Sequence, residues 1–254
     1  MSLLEVRALE KAFGGVRAVD GVSFSLERGE LLALIGPNGA GKSTCFNLIN
    51  GQLTPGAGSV LLDGVSISHQ PPRAIWRLGV GRTFQITATF GSMTVRENVQ
   101  MVLHCAARNL FNVWSRAAAS FRDEADALLA QVGMSEQAQR PCSLLAYGDL
   151  KRVELAMALA HAPKLLLMDE PTAGMSPQER HDLMALTARL VRERNMGVLF
   201  TEHSMDVVFT HASRIVVMAR GKIIAQGSPT EVENNADVRT LYLGSGAVLE
   251  KAPA

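Results

Sequence analysis

The stretch that most constrains this chain runs Gly36-Pro37-Asn38-Gly39-Ala40-Gly41-Lys42-Ser43-Thr44, which fits the phosphate-binding loop pattern G-x-x-x-x-G-K-[ST]. Before it stands Leu31-Leu32-Ala33-Leu34-Ile35, an uninterrupted apolar run that reads as a buried parallel strand. After it, Cys45-Phe46-Asn47-Leu48-Ile49 continues as a helix that Gly51 can end. Strand, glycine loop and helix are the setting this pattern needs. Gly36, Gly39 and Gly41 carry no Cβ, so the backbone can curl and turn its N–H groups inward. The helix N-terminus adds partial positive charge. Lys42 places an ammonium near the β- and γ-phosphates, and Ser43 offers a hydroxyl to Mg2+. The expected ligand is a nucleoside triphosphate.

The rest of the chain bounds what is done with it. Its 254 residues suit one large α/β domain, or one domain with a subdomain. Net charge is +1, so no strong attraction to nucleic acid or anionic lipid is implied. Cys45, Cys105 and Cys142 are scattered without metal-ligand spacing, and Cys45 reads as a packing residue. Met1-Ser2-Leu3-Leu4 is followed at once by Glu5 and Arg7, which does not read as a signal peptide. No apolar run reaches ~20 residues, so any membrane role is expected to run through partners.

In chain order, residues 2 to 9 and 16 to 26 alternate as strands around a Phe13-Gly14-Gly15 turn. Residues 59 to 62 form another strand before the tight turn Asp63-Gly64. Pro71-Pro72 opens a short helix, and residues 79 to 84 return as a strand ending at Gln85. From Ile86 the character changes to a mildly apolar loop. Thr94-Val95-Arg96-Glu97 is a capping box, and residues 98 to 133 read as mostly helical, with Leu110, Phe111, Val113, Trp114, Phe121, Leu128, Leu129 and Val132 on an apolar face. Residues 86 to about 156 therefore read as a helical insert in an α/β domain. A helix is expected over about 149 to 160. Residues 164 to 170 form a second buried strand that ends in Asp169 and Glu170. Ser176-Pro177-Gln178-Glu179 starts a helix, residues 197 to 201 form a third apolar strand, and a hairpin turns at Arg220-Gly221.

Open α/β sheets place ligands at the C-terminal edge of their strands, which is where Asp169 and Glu170 stand. Asp169 suits Mg2+, directly or through water, and Glu170 suits orientation or deprotonation of a water attacking the γ-phosphorus. His203 follows the third strand, which is expected beside the other two, so its imidazole would reach the γ-phosphate edge. The remaining histidines read as structural or surface groups. Gln85 marks the boundary between core and insert, where an amide can ligate Mg2+ or bond the attacking water. Gly148 opens a helix after a small-residue turn. Ordinary capping and a contact to a nucleotide on another copy of the fold both fit that position.

Phe13, GPNGAGKST, Gln85, Leu145-Ala146-Tyr147-Gly148-Asp149, LLLMDEP and Glu202-His203 occur in the order and spacing of ABC transporter ATPase subunits, which the chain resembles over residues 2 to about 243. The resemblance implies a P-loop NTPase fold with a RecA-like core and an antiparallel β subdomain (about 2 to 85 and 157 to 243). It also implies an inserted α-helical subdomain (about 86 to 156) and a loose tail over 244 to 254. Catalytic roles would fall to Glu170, His203, Lys42 and Gln85. ATP would be held by Phe13, Val19, Gly36, Pro37, Asn38, Gly39, Ala40, Gly41, Lys42, Ser43 and Thr44, and Mg2+ by Ser43, Gln85 and Asp169. The resemblance further implies a second ATPase subunit bound head to tail, whose nucleotide would meet the signature residues Leu145, Ala146, Tyr147, Gly148 and Asp149.

Gly81-Arg82-Thr83-Phe84-Gln85, Phe90, Met93-Thr94-Val95-Arg96-Glu97-Asn98-Val99 and Tyr242-Leu243-Gly244 narrow the likeness to the branched-chain amino acid, LivG-type subfamily. Implied partners are integral membrane permease subunits, docking at a groove near Ile86 to Met93, and an external solute-binding protein. The implied location is cytoplasmic, on the inner face of the membrane. Other cargoes (urea, a lipid or lipopolysaccharide) stay open, as does a non-transport ABC ATPase, against which a single cassette without heptads or a basic patch argues. The chain departs from the common LSGGQ signature at Ala146, Tyr147 and Asp149, and carries Ser176 where the family often has Asp.

Overall fold

The computed structural model describes residues 2–83, 89–107 and 121–243. Gln85 and Ile86, the apolar positions Leu110, Phe111, Val113 and Trp114, and the tail from 244 to 254 lie outside them. The chain opens on a hairpin of β1 (Leu4–Phe13) and β2 (Val16–Leu26), turned by Gly14 and Gly15 at φ 50° and 88°. Then come β3 (Leu31–Ile35), α1 (Lys42–Ile49), β4 (Ala57–Leu62), β5 (Val65–Ser66), α2 (Pro72–Arg77) and β6 (Val80–Thr83). A helical stretch follows, with α3 (Val95–Ala106), α4 (Arg122–Gln131) and α5 (Tyr147–Leu159). The chain returns through β7 (Leu165–Asp169), α6 (Pro177–Arg194), β8 (Gly197–Thr201) and α7 (Met205–His211). It closes with β9 (Arg214–Ala219), β10 (Lys222–Gly227), α8 (Pro229–Glu233) and α9 (Ala236–Leu243).

Two sheets result. One is antiparallel, in the order β2-β1-β4-β5; the other runs β10-β9-β3-β8-β7-β6, parallel except for the edge strand β10. The three continuous apolar runs are β3, β7 and β8, adjacent at the centre, and every residue in them is buried. A strand covered on both faces gains from apolar side chains at every position, which is why these runs do not alternate. The alternation is geometric instead. Leu31, Ala33 and Ile35 join Met168, Phe200 and the helices α3 to α6 in one core. Leu32 and Leu34 point the other way, onto Phe46 of α1 and the β1–β2–β4 sheet. Each fully buried Leu or Phe contributes roughly 1.5–3 kcal/mol, so both layers are needed to hold the central strands.

The helix starts follow local chemistry. Thr94, Ser176 and Ser228 each form a two-way capping box with a Glu three residues on. One start differs from the sequence reading. α5 begins at Tyr147, with Ala146 in extended backbone (ψ 156°) as its N-cap. Gly148 is therefore inside the first turn, not at its head. No helix among the described residues is long and apolar enough to cross a membrane.

Candidate active site

The glycine loop links β3 to α1, and its tightness sets its use. Gly41 has φ 104°, and a Cβ there would meet the Ala18 carbonyl at 2.2 Å. A Cβ on Gly36 would meet the Met218 carbonyl at the same 2.2 Å. The loop is thus clamped between β2 and β9, and Gly221 of the β9–β10 turn donates its N–H to the Ala40 carbonyl at 3.0 Å. Lys42 is 8% exposed, and its Nζ donates to the carbonyls of Gly36 (2.7 Å) and Pro37 (3.1 Å). Burial holds its pKa below the ordinary lysine value, while the charges of Glu170 and Asp169 pull the other way. α1 starts with no side-chain cap. An ammonium curled into a glycine cradle at an uncapped helix start fits a phosphate group.

Asp169 ends β7 and Glu170 follows it directly, beside the end of β8. Register pairs Asp169 with Thr201, whose Oγ1 donates to Asp169 Oδ1 at 2.7 Å. Arg82 Nη2 donates to Asp169 Oδ2 at 3.3 Å. Glu170 leaves the strand in the left-handed region, φ 50°, with its N–H on the Thr201 carbonyl (3.2 Å) and hydroxyl (3.1 Å). That turn carries its side chain to His203, with Nε2 and Oε1 separated by 2.8 Å. Asp169 and the exposed Ser43 provide hard oxygen donors. Among the described residues no group of three or more His, Cys, Asp or Glu could hold a metal alone. Such a sparse set fits a cation that is completed by substrate phosphates and water, as Mg2+ is.

The other predicted residues are placed as follows. Phe13 is 47% exposed at the hairpin tip, with Lys11 Nζ 5.6 Å from its ring centre. Val19 is fully buried in the core beneath the loop. Asn38 and Gly39 are exposed, Pro37 and Thr44 half-buried, and Ala40 buried. Of the signature turn, Leu145 and Asp149 are half-buried, and Ala146 and Tyr147 are exposed. This turn packs on the segment after β7: a Cβ on Gly174 would lie 3.4 Å from the Tyr147 ring, and one on Gly148 would lie 2.8 Å from Glu179 Oε1. Gln85 lies outside the described residues.

Three groups were given no role of their own in the sequence reading. Glu202 is 4% exposed and accepts from Thr172 N (2.8 Å), Thr172 Oγ1 (2.7 Å) and His203 N (3.2 Å). It joins the loop after β7 to the histidine after β8. Thr201 orients Asp169. Arg82 also donates through Nη1 to Asn47 Oδ1 (2.9 Å) and Gln52 Oε1 (3.1 Å). A lone arginine inside a short buried strand, and a carboxylate directly after an apolar one, were the available signals.

Comparison with known proteins agrees with this geometry. Residues 19–173 match the family model for ABC transporters. The branched-chain amino acid transport ATP-binding protein LivG of Salmonella typhimurium is 40% identical over 95% of this chain and 98% of its own. BraF of Pseudomonas aeruginosa, of the same description, is 39% identical with the same coverage. A probable LivG of Archaeoglobus fulgidus is 34% identical over 96% of each chain. Among solved structures, the ADP conformation of an ABC transporter's ATP-binding cassette superposes with a TM-score of 0.86 at 31% identity, covering 96% of this chain and 99% of that one. The chain belongs to the ABC transporter family, as one of its ATP-binding cassettes.

Proposed function

We propose that this cassette is the ATP-hydrolysing subunit of an importer for branched-chain amino acids. The observation that carries the catalytic part is the 2.8 Å contact between Glu170 and His203, at the strand edge that also bears Asp169. A carboxylate so held can accept a proton from water aimed at the γ-phosphorus, and an imidazole beside it can donate to the γ-phosphate. Lys42 and the loop N–H groups take the phosphates, with Phe13 as a platform for the base. Mg2+, when bound with ATP, would neutralise phosphate charge, and Ser43, Gln85 and Asp169 would hold it. Leu145 to Asp149 would close the nucleotide of a second ATPase subunit, packed head to tail. The closeness of the Tyr147 ring to Gly174 would give that contact a route to the loop after β7.

The helical part, about 86 to 156, would act as a lever between permease and nucleotide. A cavity of about 320 Å³ supports this reading, with Trp76, Val80, Thr83, Val102 and Met157 in its walls. Its lining is mostly apolar, and Thr83 is the last described residue before Gln85. It suits an amphipathic cytoplasmic helix of a permease subunit. Phe90, 54% exposed, lies on the same approach in sequence. The chain would then work on the cytoplasmic face of the membrane, with an external solute-binding protein in the same system.

Two measurements test the proposal. Purified chain should release phosphate from ATP, and cells lacking it should lose uptake of labelled leucine until it is restored. Phe90→Glu should retain ATP binding while abolishing uptake. Restoration of full uptake by that variant would refute the docking site, and uptake of leucine unaffected by loss of the chain would refute the cargo.

A further inference from the structure

We propose that Arg82 is the resident counter-ion of Asp169, occupying the oxygen that a divalent cation faces and holding the metal affinity of the free site low until nucleotide arrives. This rests on the reading of Asp169 as the metal-facing carboxylate. Pairing of β6 with β7 sets Arg82 opposite Leu167, so Arg82 and Asp169 share the sheet face that α1 covers. Their side chains are 16% and 11% exposed. Two charges so enclosed need one another.

Their contact is nevertheless light. It is a single N–H at 3.3 Å, against roughly 2.7–2.9 Å for a charge-assisted bond of full strength. The firmer hold on the guanidinium comes from neutral amides, Asn47 Oδ1 at 2.9 Å and Gln52 Oε1 at 3.1 Å. Asp169 Oδ1 is pinned by Thr201 at 2.7 Å, which leaves Oδ2 as the oxygen Arg82 and a cation would share. A guanidinium anchored by amides stays in place when the carboxylate turns to another cation. Its charge then repels that cation. The phosphates of a nucleotide supply the negative charge that offsets this repulsion, so metal and nucleotide would enter together rather than metal alone.

The test is titration of Mn2+ into the full-length chain, with free Mn2+ read by electron paramagnetic resonance, with and without the non-hydrolysable analogue AMP-PNP. Removing a cation this close should tighten Mn2+ binding without nucleotide by about tenfold in Arg82→Gln, and less with AMP-PNP present. Arg82→Lys keeps the charge but loses the two-amide anchorage, and should tighten Mn2+ less than Arg82→Gln does. Gln52→Glu, at the exposed end of the fork, draws the guanidinium away from Asp169 and should also tighten Mn2+ several-fold; it serves as the deciding variant if Arg82→Gln does not fold. Unchanged or weaker Mn2+ binding in these neutralised or diverted variants overturns the proposal. An Asp169→Asn variant separates the two levels. If it binds Mn2+ as the native chain does, the reading of Asp169 itself fails. If it weakens binding while Arg82→Gln has no effect, only the counter-ion role fails.

Discussion

Nε2 of His203 lies 2.8 Å from Oε1 of Glu170, although the two residues sit on loops that follow different strands. Adjacent parallel strands β7 and β8 bring them together, and the left-handed turn at Glu170 (φ 50°) aims one at the other. If Glu170 is the base, Glu170→Gln should bind ATP normally, lose turnover by about 10²-fold or more, and accumulate as an ATP-bound dimer. Phosphate release, nucleotide binding and gel filtration with ATP check the three parts. Near-native turnover would remove Glu170 from that role.

Glu202 serves a different purpose. Its buried carboxylate accepts from both the N–H and the hydroxyl of Thr172, and from the N–H of His203. Glu202→Gln replaces one acceptor oxygen with a donor and leaves a buried group unpaired. The expected loss is about 1–3 kcal/mol, a fall in melting temperature of about 2–12 °C. Turnover should fall as well, because His203 loses a backbone anchor, while ATP affinity should hold. A variant as stable as the native chain would show that the Thr172 link carries no load.

Asn98 is fully buried and uses both ends of its amide. Oδ1 accepts from Phe90 N at 2.7 Å, and Nδ2 donates to the carbonyls of Thr94 (2.9 Å) and Phe90 (3.2 Å) and contacts Cys142 Sγ at 3.3 Å. One side chain thereby ties the approach to α3 to the turn before the signature. Asn98→Ala should destabilise the chain by roughly 2–3 kcal/mol. Amide hydrogen exchange should accelerate at Phe90 and through residues 142–145. Exchange confined to α3 would contradict the bracing role.

Acid should weaken the α6–α7 junction. His211 Nε2 lies 3.0 Å from His181 Nδ1, and His181 Nε2 lies 3.3 Å from Asp206. Burial, then the neighbouring His181, hold the His211 pKa below its ordinary value, with Asp206 opposing. The unfolded chain therefore binds a proton that the folded chain resists. This contribution is fully present above about pH 6.5 and is lost as pH falls through the lowered folded value. Chemical denaturation at pH 7.5 and 5.5 should show lower stability at the acid end, and a smaller difference in His211→Gln. An equal difference in the variant would assign the acid sensitivity elsewhere.

Much of this molecule was legible in its amino-acid order, because the strongest signals are local. A glycine loop between an apolar run and a helix, capping boxes at Thr94, Ser176 and Ser228, and three continuous apolar strands are each written within about ten residues. They identified the phosphate cradle, the carboxylate pair and the expectation that β8 lies beside β3 and β7. Chain folding alone decided which distant groups meet. Arg82 reaches Asp169, Glu202 reaches Thr172, and Asn98 reaches Cys142, across separations of 87, 30 and 44 residues. Nothing in the neighbourhood of any of these residues marks its partner, since the pairing follows from strand order and from burial of polar groups that must then find hydrogen bonds. Sequence by itself determined the phosphate-binding type of loop and put forward the residues proposed to meet substrate. Tertiary structure decided how those residues are held, because holding them is the work of contacts that exist only once the sheet has closed.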